Sequence, residues 1–272
     1  MNRALFSDLA LYRRLIVLQM RAQLQYRANL LIDIATYLAV TGLEFVALLI
    51  LFGSFPRLGD WTVGQVALLY GVSSFGFGLA EMIGAGIDGF NQTILRGEFD
   101  RLLVRPVGAF IQVVGSDFRL RRLGRITQGI AAIAVSLHLL PGIHWTIAQV
   151  LVLSAGIAST AAIFLSVLLL GATICFWTVE TTELTNILTY GGCYMLSYPL
   201  SIYGRPLQRF FLFVVPLAFG GYAPVCYVLG RPLALGLPGQ IALAAPAVAA
   251  LFALVSAAFW RLGVRHYQST GS

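Results

Sequence analysis

The groups able to do chemistry are few in this 272-residue chain, and one is missing outright: all 18 basic residues are arginine. Without lysine there is no P-loop amine for the β- and γ-phosphates of a nucleotide, and no amine for a Schiff base. The chain therefore cannot be its own Walker-type ATPase. Cys175, Cys193 and Cys226 are far apart in apolar sequence and lack C-x-x-C spacing, which reads as buried free thiols. His138, His144 and His266 are equally scattered, so no metal site is expected. No G-x-S-x-G or H-E-x-x-H pattern marks an intramembrane enzyme.

The remaining candidates are acids and polar stripes inside apolar sequence. Tyr70, Ser74, Phe77 and Glu81 recur at i, i+4, i+7 and i+11, one face of a helix. Asn186, Tyr190, Tyr194, Ser197 and Ser201 make a similar stripe in the least apolar segment. Polar groups facing lipid cost free energy, so both stripes should face protein or a cavity. The same residue types also serve as polar glue between helices. Asp33 and Glu44 stack on one helix face with Tyr37 between them. Asp33 and Glu81 are expected close to the membrane boundary, whereas Glu44 lies ~20 Å beyond Leu30, deep in hydrocarbon unless protonated or paired. A proton relay and a neutral structural carboxyl are both open for Glu44.

The elements that must position these groups are membrane helices. The chain is 58% hydrophobic and 11% charged, far from the quarter charged of a soluble domain. Crossing ~30 Å of hydrocarbon takes about 20 apolar residues. Spans are predicted near 30–52, 63–84, 126–140, 147–176 and 241–260, with a diluted one near 183–203, giving six. Residues 204–240 are apolar but broken by Pro206, Pro216, Pro224, Pro232 and Pro238, which reads as a re-entrant external hairpin between spans five and six. With both termini cytoplasmic, 14 of the 18 arginines lie inside and 4 outside, as the positive-inside rule requires. The net charge of +7 is then an orientation signal, matched to anionic lipid, with no nucleic-acid partner implied. The fold expected is all-α, a single transmembrane domain over 1–272 in the cell (inner or plasma) membrane.

Two cytoplasmic pieces complete it. Residues 1–27 read as an interfacial amphipathic helix, with Arg14, Arg21 and Gln25 opposite Leu9, Tyr12, Ile16, Met20 and Leu24. Residues 85–125 form the largest loop. Within it Gly97 and Pro106 bracket a short amphipathic helix bearing Phe99, Leu102 and Leu103 beside alternating charges. Such a face is covered either by a partner or by lipid.

The stretch Gly97-Glu98-Phe99-Asp100-Arg101-Leu102-Leu103-Val104-Arg105-Pro106-Val107 resembles the G-T-L-E-x-L-L-x-x-P-V element of permease subunits of ABC-2 type transporters. More narrowly, G-x-F-D-x-L-L-x-R-P is similar to the subgroup of permeases often encoded in pairs beside one ATPase. Trp61 before Leu68-Leu69-Tyr70-Gly71, Tyr198-Pro199, Pro216 with Tyr222-x-Pro224, and the tail Tyr267-Gln268-Ser269-Thr270-Gly271 extend the likeness along the chain. Glu98, Phe99 and Asp100 depart from the Thr, Leu and Glu of the broader element. The fourth-to-fifth connection near 177–183 carries acids and no arginine, so it lacks the features of a second docking element.

The resemblance implies an exporter permease whose loop helix is a coupling helix seated on an ATP-binding cassette subunit. Gly97, Glu98, Phe99, Asp100, Arg101, Leu102, Leu103, Arg105 and Pro106 would form the docking element, with Phe99, Leu102 and Leu103 buried in the partner. It also implies a second permease, identical or related, and a path framed by spans two and five, hence Tyr70, Ser74, Phe77, Glu81, Asn186, Tyr190, Tyr194 and Ser197. No cofactor is expected on this chain; ATP and Mg belong to the partner, and the chain itself is not an enzyme. A secondary transporter or a non-ABC membrane scaffold is the competing reading. The former predicts inverted repeats and several deep ionisable residues.

Overall fold

The computed structural model describes residues 2–143, 145–178 and 182–267, with side chains from residue 10 onward. His144, residues 268–271 of the quoted tail, Glu180 and the side chains of Arg3 and Leu9 therefore lie outside the described residues. The described chain is helical, apart from turns and one isolated bridge between Leu58 and Trp61. Among the described residues, four helices are long and apolar enough to cross a membrane: α2 (Arg27–Ser54), α3 (Val63–Ile83), α9 (Ile147–Ile174), and Gly239–His266, whose α-helical part is α15 (Ala245–His266). The segments Arg205–Val214 and Leu217–Val228 would make a fifth if taken as one span, but they meet at 78°.

The third expected span is α8 (Leu123–Leu139), which at 17 residues falls short of a full crossing. It packs along α3 through reciprocal small residues. A Cβ on Gly71 would stand 2.6 Å from the Ile133 side chain and 2.9 Å from the Gly129 carbonyl oxygen, and one on Gly129 would stand 2.8 Å from the Phe75 amide nitrogen. Only glycine lets the two backbones approach so closely, the packing device that replaces a hydrophobic drive in lipid. α3 is the centre of the bundle. Of its most apolar stretch 78% is buried, against 11% for α2, whose outer face is apolar and lipid-facing in character.

The fifth expected span, 183–203, is broken into short pieces and is not among the helices long and apolar enough to cross. It consists of α10 (Thr182–Asn186), a wide π turn over Ile187–Gly191, α11 (Gly192–Leu196) and a tight 3-10 turn at Leu200–Ile202. The glycine pair Gly191-Gly192 and Pro199 explain the irregularity. The segment still runs from one end of the bundle to the other: Tyr190 reaches Glu81, the Leu196 carbonyl accepts from Ser73, and Tyr203 accepts from Gln208 where the next segment starts. The following pair, α12 (Arg205–Arg209) with its π turn Phe210–Val214, then α13 (Leu217–Gly220) and α14 (Tyr222–Val228), returns to that same end. There the Gln149 side chain donates to Val228, and Arg231 donates to the Asp60 carbonyl while lying 4.8 Å over Trp61.

At this end α3 and α9 begin with the same phrase, Trp61-Thr62-x-x-Gln65 and Trp145-Thr146-x-x-Gln149. Each glutamine side chain accepts from the threonine amide, at 3.2 Å and 3.0 Å, a capping box beside a tryptophan of the kind that sits at membrane interfaces.

The opposite end gathers the loops. α1 (Asn2–Gln25) lies against the 85–125 connection: Gln19 donates to the Ser116 carbonyl at 2.9 Å, and the Gln23 side chain accepts from the Leu120 amide at 3.0 Å. Arg14, Arg21 and Gln25 are exposed, and Tyr12, Ile16 and Met20 half-buried, as the helical wheel predicts; Leu24 is exposed instead. Replacing Gly71 with valine should lower stability by about 1–3 kcal/mol through overpacking. Gly42→Ala on α2, where a Cβ meets nothing within 4 Å, should be neutral or slightly stabilising. Thermal unfolding in detergent followed by size-exclusion fluorescence distinguishes the two.

Candidate functional site

Among the described residues, charge is buried most deeply where α3, the start of α8 and the π turn meet. Glu81 is 7% exposed, and both its neighbours, Arg122 and Arg125, are buried as well. Arg122 approaches Glu81 Oε1 at 2.7 Å and Arg125 approaches Oε2 at 3.5 Å. The Tyr190 hydroxyl donates to Oε1 at 2.7 Å and accepts from Arg122 at 3.3 Å. The guanidinium groups also cover rings: Arg122 lies 4.5 Å over Tyr37 and Arg125 5.2 Å over Phe77. Arg125 further donates to Cys193 Sγ at 3.8 Å. Two cations face one carboxylate, so an excess positive charge stands beside the acids of α2.

Those acids line the adjoining groove. About 410 Å³ of open space lies between α2, the start of α8 and the broken segment, walled by Asp33, Tyr37, Glu44, Arg125, Tyr190 and Tyr194 among others. Glu44 is half-buried there. The Tyr194 hydroxyl donates to Glu44 Oε1 at 2.7 Å, and Tyr70 donates to the Thr41 carbonyl at 3.0 Å and toward Glu44 Oε2 at 3.4 Å. The anomalous acid is thus hydrogen-bonded, and its site opens to the outside of the chain.

The two expected stripes do meet, since Phe77 packs edge-on to Tyr190 at 5.2 Å and Glu81 bonds to the same tyrosine. They do not line an open path together in the single chain. Tyr70, Ser74, Phe77 and Ser197 are buried in the interior, where packing between α3, α9 and the broken segment closes over them. Of the predicted path, only Tyr190 and Tyr194 reach the groove, joined there by Glu44. Asn186 is half-buried, and its carbonyl accepts from Thr189.

At the loop end the expected docking helix is α6 (Phe99–Leu103). Gly97 at φ +66° turns the chain out of α5 (Phe90–Leu95), a conformation that glycine adopts freely. Gln112 on α7 (Ala109–Val114) donates to the carbonyls of Leu102 (2.9 Å) and Val107 (3.0 Å), holding the turn through Pro106.

The predicted orientation needs correction. Phe99 is fully buried within its own chain, among Tyr267 (4.9 Å between ring centres), Phe90 (5.3 Å), Phe176 (5.3 Å) and Trp260 (6.5 Å). It is therefore not an anchor in a partner's groove. Aromatic side chains from the ends of α9 and α15 supply the cover that a partner was expected to give, and Leu102 packs against the same cluster. The face left outside carries Glu98, Arg101, Leu103 (43% exposed), Val104 (83% exposed), Arg105 and Pro106, with Asp100 half-buried.

Sequence reading missed Arg122 and Arg125 as site residues because it counted them only for topology. Their signal was present: two arginines, three apart, at the entrance to an apolar helix. Among the described residues no group of three His, Cys, Asp or Glu converges to hold a metal, and all three cysteines are buried.

Residues 38–271 match the model of a family described as ABC-2 family transporter protein. No curated protein and no solved structure matches the chain.

Glu81→Ala leaves two buried guanidinium groups without their counter-charge and should cost about 3–5 kcal/mol of stability. Glu44→Gln, at the open groove, should cost nearer ~1 kcal/mol, the worth of one hydrogen bond. Denaturation midpoints of the two variants in one detergent give the ordering.

Proposed function

This chain belongs to the ABC-2 family of transporter proteins, and on that premise we propose that it is the permease of an ATP-driven exporter, powered by a separate ATP-binding cassette subunit. Membership makes it the membrane component of a transporter and a multi-pass membrane protein. Export, coupling and pairing with a second permease are the further steps. The observation that carries them is the exposed edge from Leu103 to Pro106. Apolar Leu103 and Val104 stand between Arg101 and Arg105 on a helix whose other face is locked by Phe99. An apolar centre with a charged rim is the composition of a protein-binding surface. A chain without lysine must take its ATP hydrolysis, with its Mg, from such a partner.

The proposed topology has six crossings, α8 and the broken segment 182–203 being the two irregular ones, with 204–240 as an external re-entrant hairpin. Its support is that α1, the 85–125 loop and the end of α15 share one side, through Gln19–Ser116 and the ring contact Phe99–Tyr267. That side carries most of the arginines, hence the cytoplasmic assignment. In this reading a push on α6 passes through Phe99 to the ends of α9 and α15. The Glu81 cluster then ties α3 and α8 to the broken segment, whose Tyr190 and Tyr194 face the groove with Glu44. The groove, completed by a second permease, is the proposed path. π turns recur at functional sites because they re-aim side chains without ending the helix.

Val104→Asp with Arg105→Glu should reduce co-purification of the ATP-binding subunit and abolish ATP-dependent uptake of cargo into inverted vesicles, while the permease keeps its thermal midpoint. Phe99→Ala should lower that midpoint, by about 3–5 kcal/mol in stability. Full docking and transport by the Val104/Arg105 variant would refute the assignment.

A further inference from the structure

A second groove, of about 480 Å³, lies on the loop side of the bundle between residues 108–110 and the last turns of α15. Its floor is Trp260, its apolar walls are Phe110 and Ala257, and Gly108 leaves one side open, since a Cβ there would meet nothing within 4 Å. Phe110 and Trp260 are in edge contact at 6.2 Å. At the rim stand Arg261 and Arg265, one helical turn apart and both exposed. Among the described residues neither has a carboxylate within ion-pair distance; the ion pairs found are made by Arg119, Arg122 and Arg125.

We propose that this groove binds one anionic phospholipid, its phosphate held between Arg261 and Arg265 and the start of an acyl chain laid on Phe110, Ala257 and Trp260. Charge complementarity selects the occupant. An apolar peptide helix would fill the groove and leave the two rim guanidinium groups without a counter-charge, whereas a phospholipid carries its phosphate and its hydrocarbon in the order the groove presents them. Both arginines sit in the last turns of a membrane-crossing helix, where headgroups lie, and a pair of guanidinium groups one turn apart matches phosphate oxygens. The occupant would also matter to the loop. Trp260 is 5.1 Å from Phe90 and belongs to the aromatic cluster under Phe99, so a lipid seated on it stiffens the base of α6.

The test uses the full chain, delipidated in detergent and titrated with dioleoyl phosphatidylglycerol, dioleoyl phosphatidylcholine or glycerol phosphate, with bound copies counted by native mass spectrometry. The wild-type chain should retain one phosphatidylglycerol in preference to phosphatidylcholine and bind glycerol phosphate far more weakly than the lipid. Arg261→Gln with Arg265→Gln should weaken phosphatidylglycerol roughly thirtyfold, the combined effect of two basic side chains at headgroup level. The double lysine variant should keep most of the preference. Ala257→Phe fills the groove without touching either charge and should weaken both lipids. Equal retention of the two lipids, glycerol phosphate binding as tightly as lipid, or unchanged phosphatidylglycerol binding in either the glutamine or the phenylalanine variant overturns the proposal. Lipid retention is read with no ATP-binding subunit present, so its failure leaves the transport reading untouched.

Discussion

A five-residue helix cannot hold itself in water: the first turn costs more order than its hydrogen bonds return. α6 exists because Phe99 is buried against four aromatic rings contributed by α5, by the residues just after α9 and by the end of α15 and its tail. Everything proposed about coupling depends on that burial. It fixes which side chains α6 and the turn after it show to the outside, among them Arg101, Leu103, Val104 and Arg105, and it ties the helix to the ends of two membrane helices. A loop that merely carried the same residues on flexible chain would transmit little.

Charge imposes the second constraint. A carboxylate taken into a membrane bundle has to be paired and hydrogen-bonded, and Glu81 has two guanidinium groups and a tyrosine hydroxyl. The partners come from α3, the start of α8 and the π turn. The cluster thereby sets the register of an irregular segment that helical hydrogen bonding alone would leave free. The next tyrosine along, Tyr194, is held toward Glu44 as a consequence, and the groove acquires a polar wall. Close glycine contacts between α3 and α8 make the same corner stiff. The aromatic cluster and the ionic cluster are adjacent in the bundle: Leu168 on α9 packs with the aromatic group and also lines the small space beside Glu81 and Arg122.

Much of this was legible in the residues. Long apolar runs gave α2, α3, α9 and α15, whereas the Thr, Tyr and Gly dilution of 183–203 was read only as a weaker span and its break into short pieces was not foreseen. Gly97 and Pro106 bracketed α6, and the stripes of α3 and the fifth segment touch through Phe77, Glu81 and Tyr190. What failed has one physical cause. Periodicity tells which residues share a face but not what covers it. Phe99 and Leu102 looked like anchors for a partner because their true cover, Phe176, Trp260 and Tyr267, is remote in sequence. Arg122 and Arg125 looked like topology signals because the carboxylate that neutralises them is on another helix. The repeated Trp-Thr-x-x-Gln phrase went unused in the sequence, although a capping box is a local device whose spacing alone marks two helix starts.

Coupling depends on what touches the outer edge formed by Leu103, Val104 and Arg105. A photoreactive amino acid at position 104, in the full chain expressed with its native partners, reads that contact directly. Crosslinking to an ATP-binding subunit, strengthened or weakened by nucleotide, is the predicted result. Crosslinks confined to lipid or to this chain itself, with the ATP-binding subunit never captured, would contradict it.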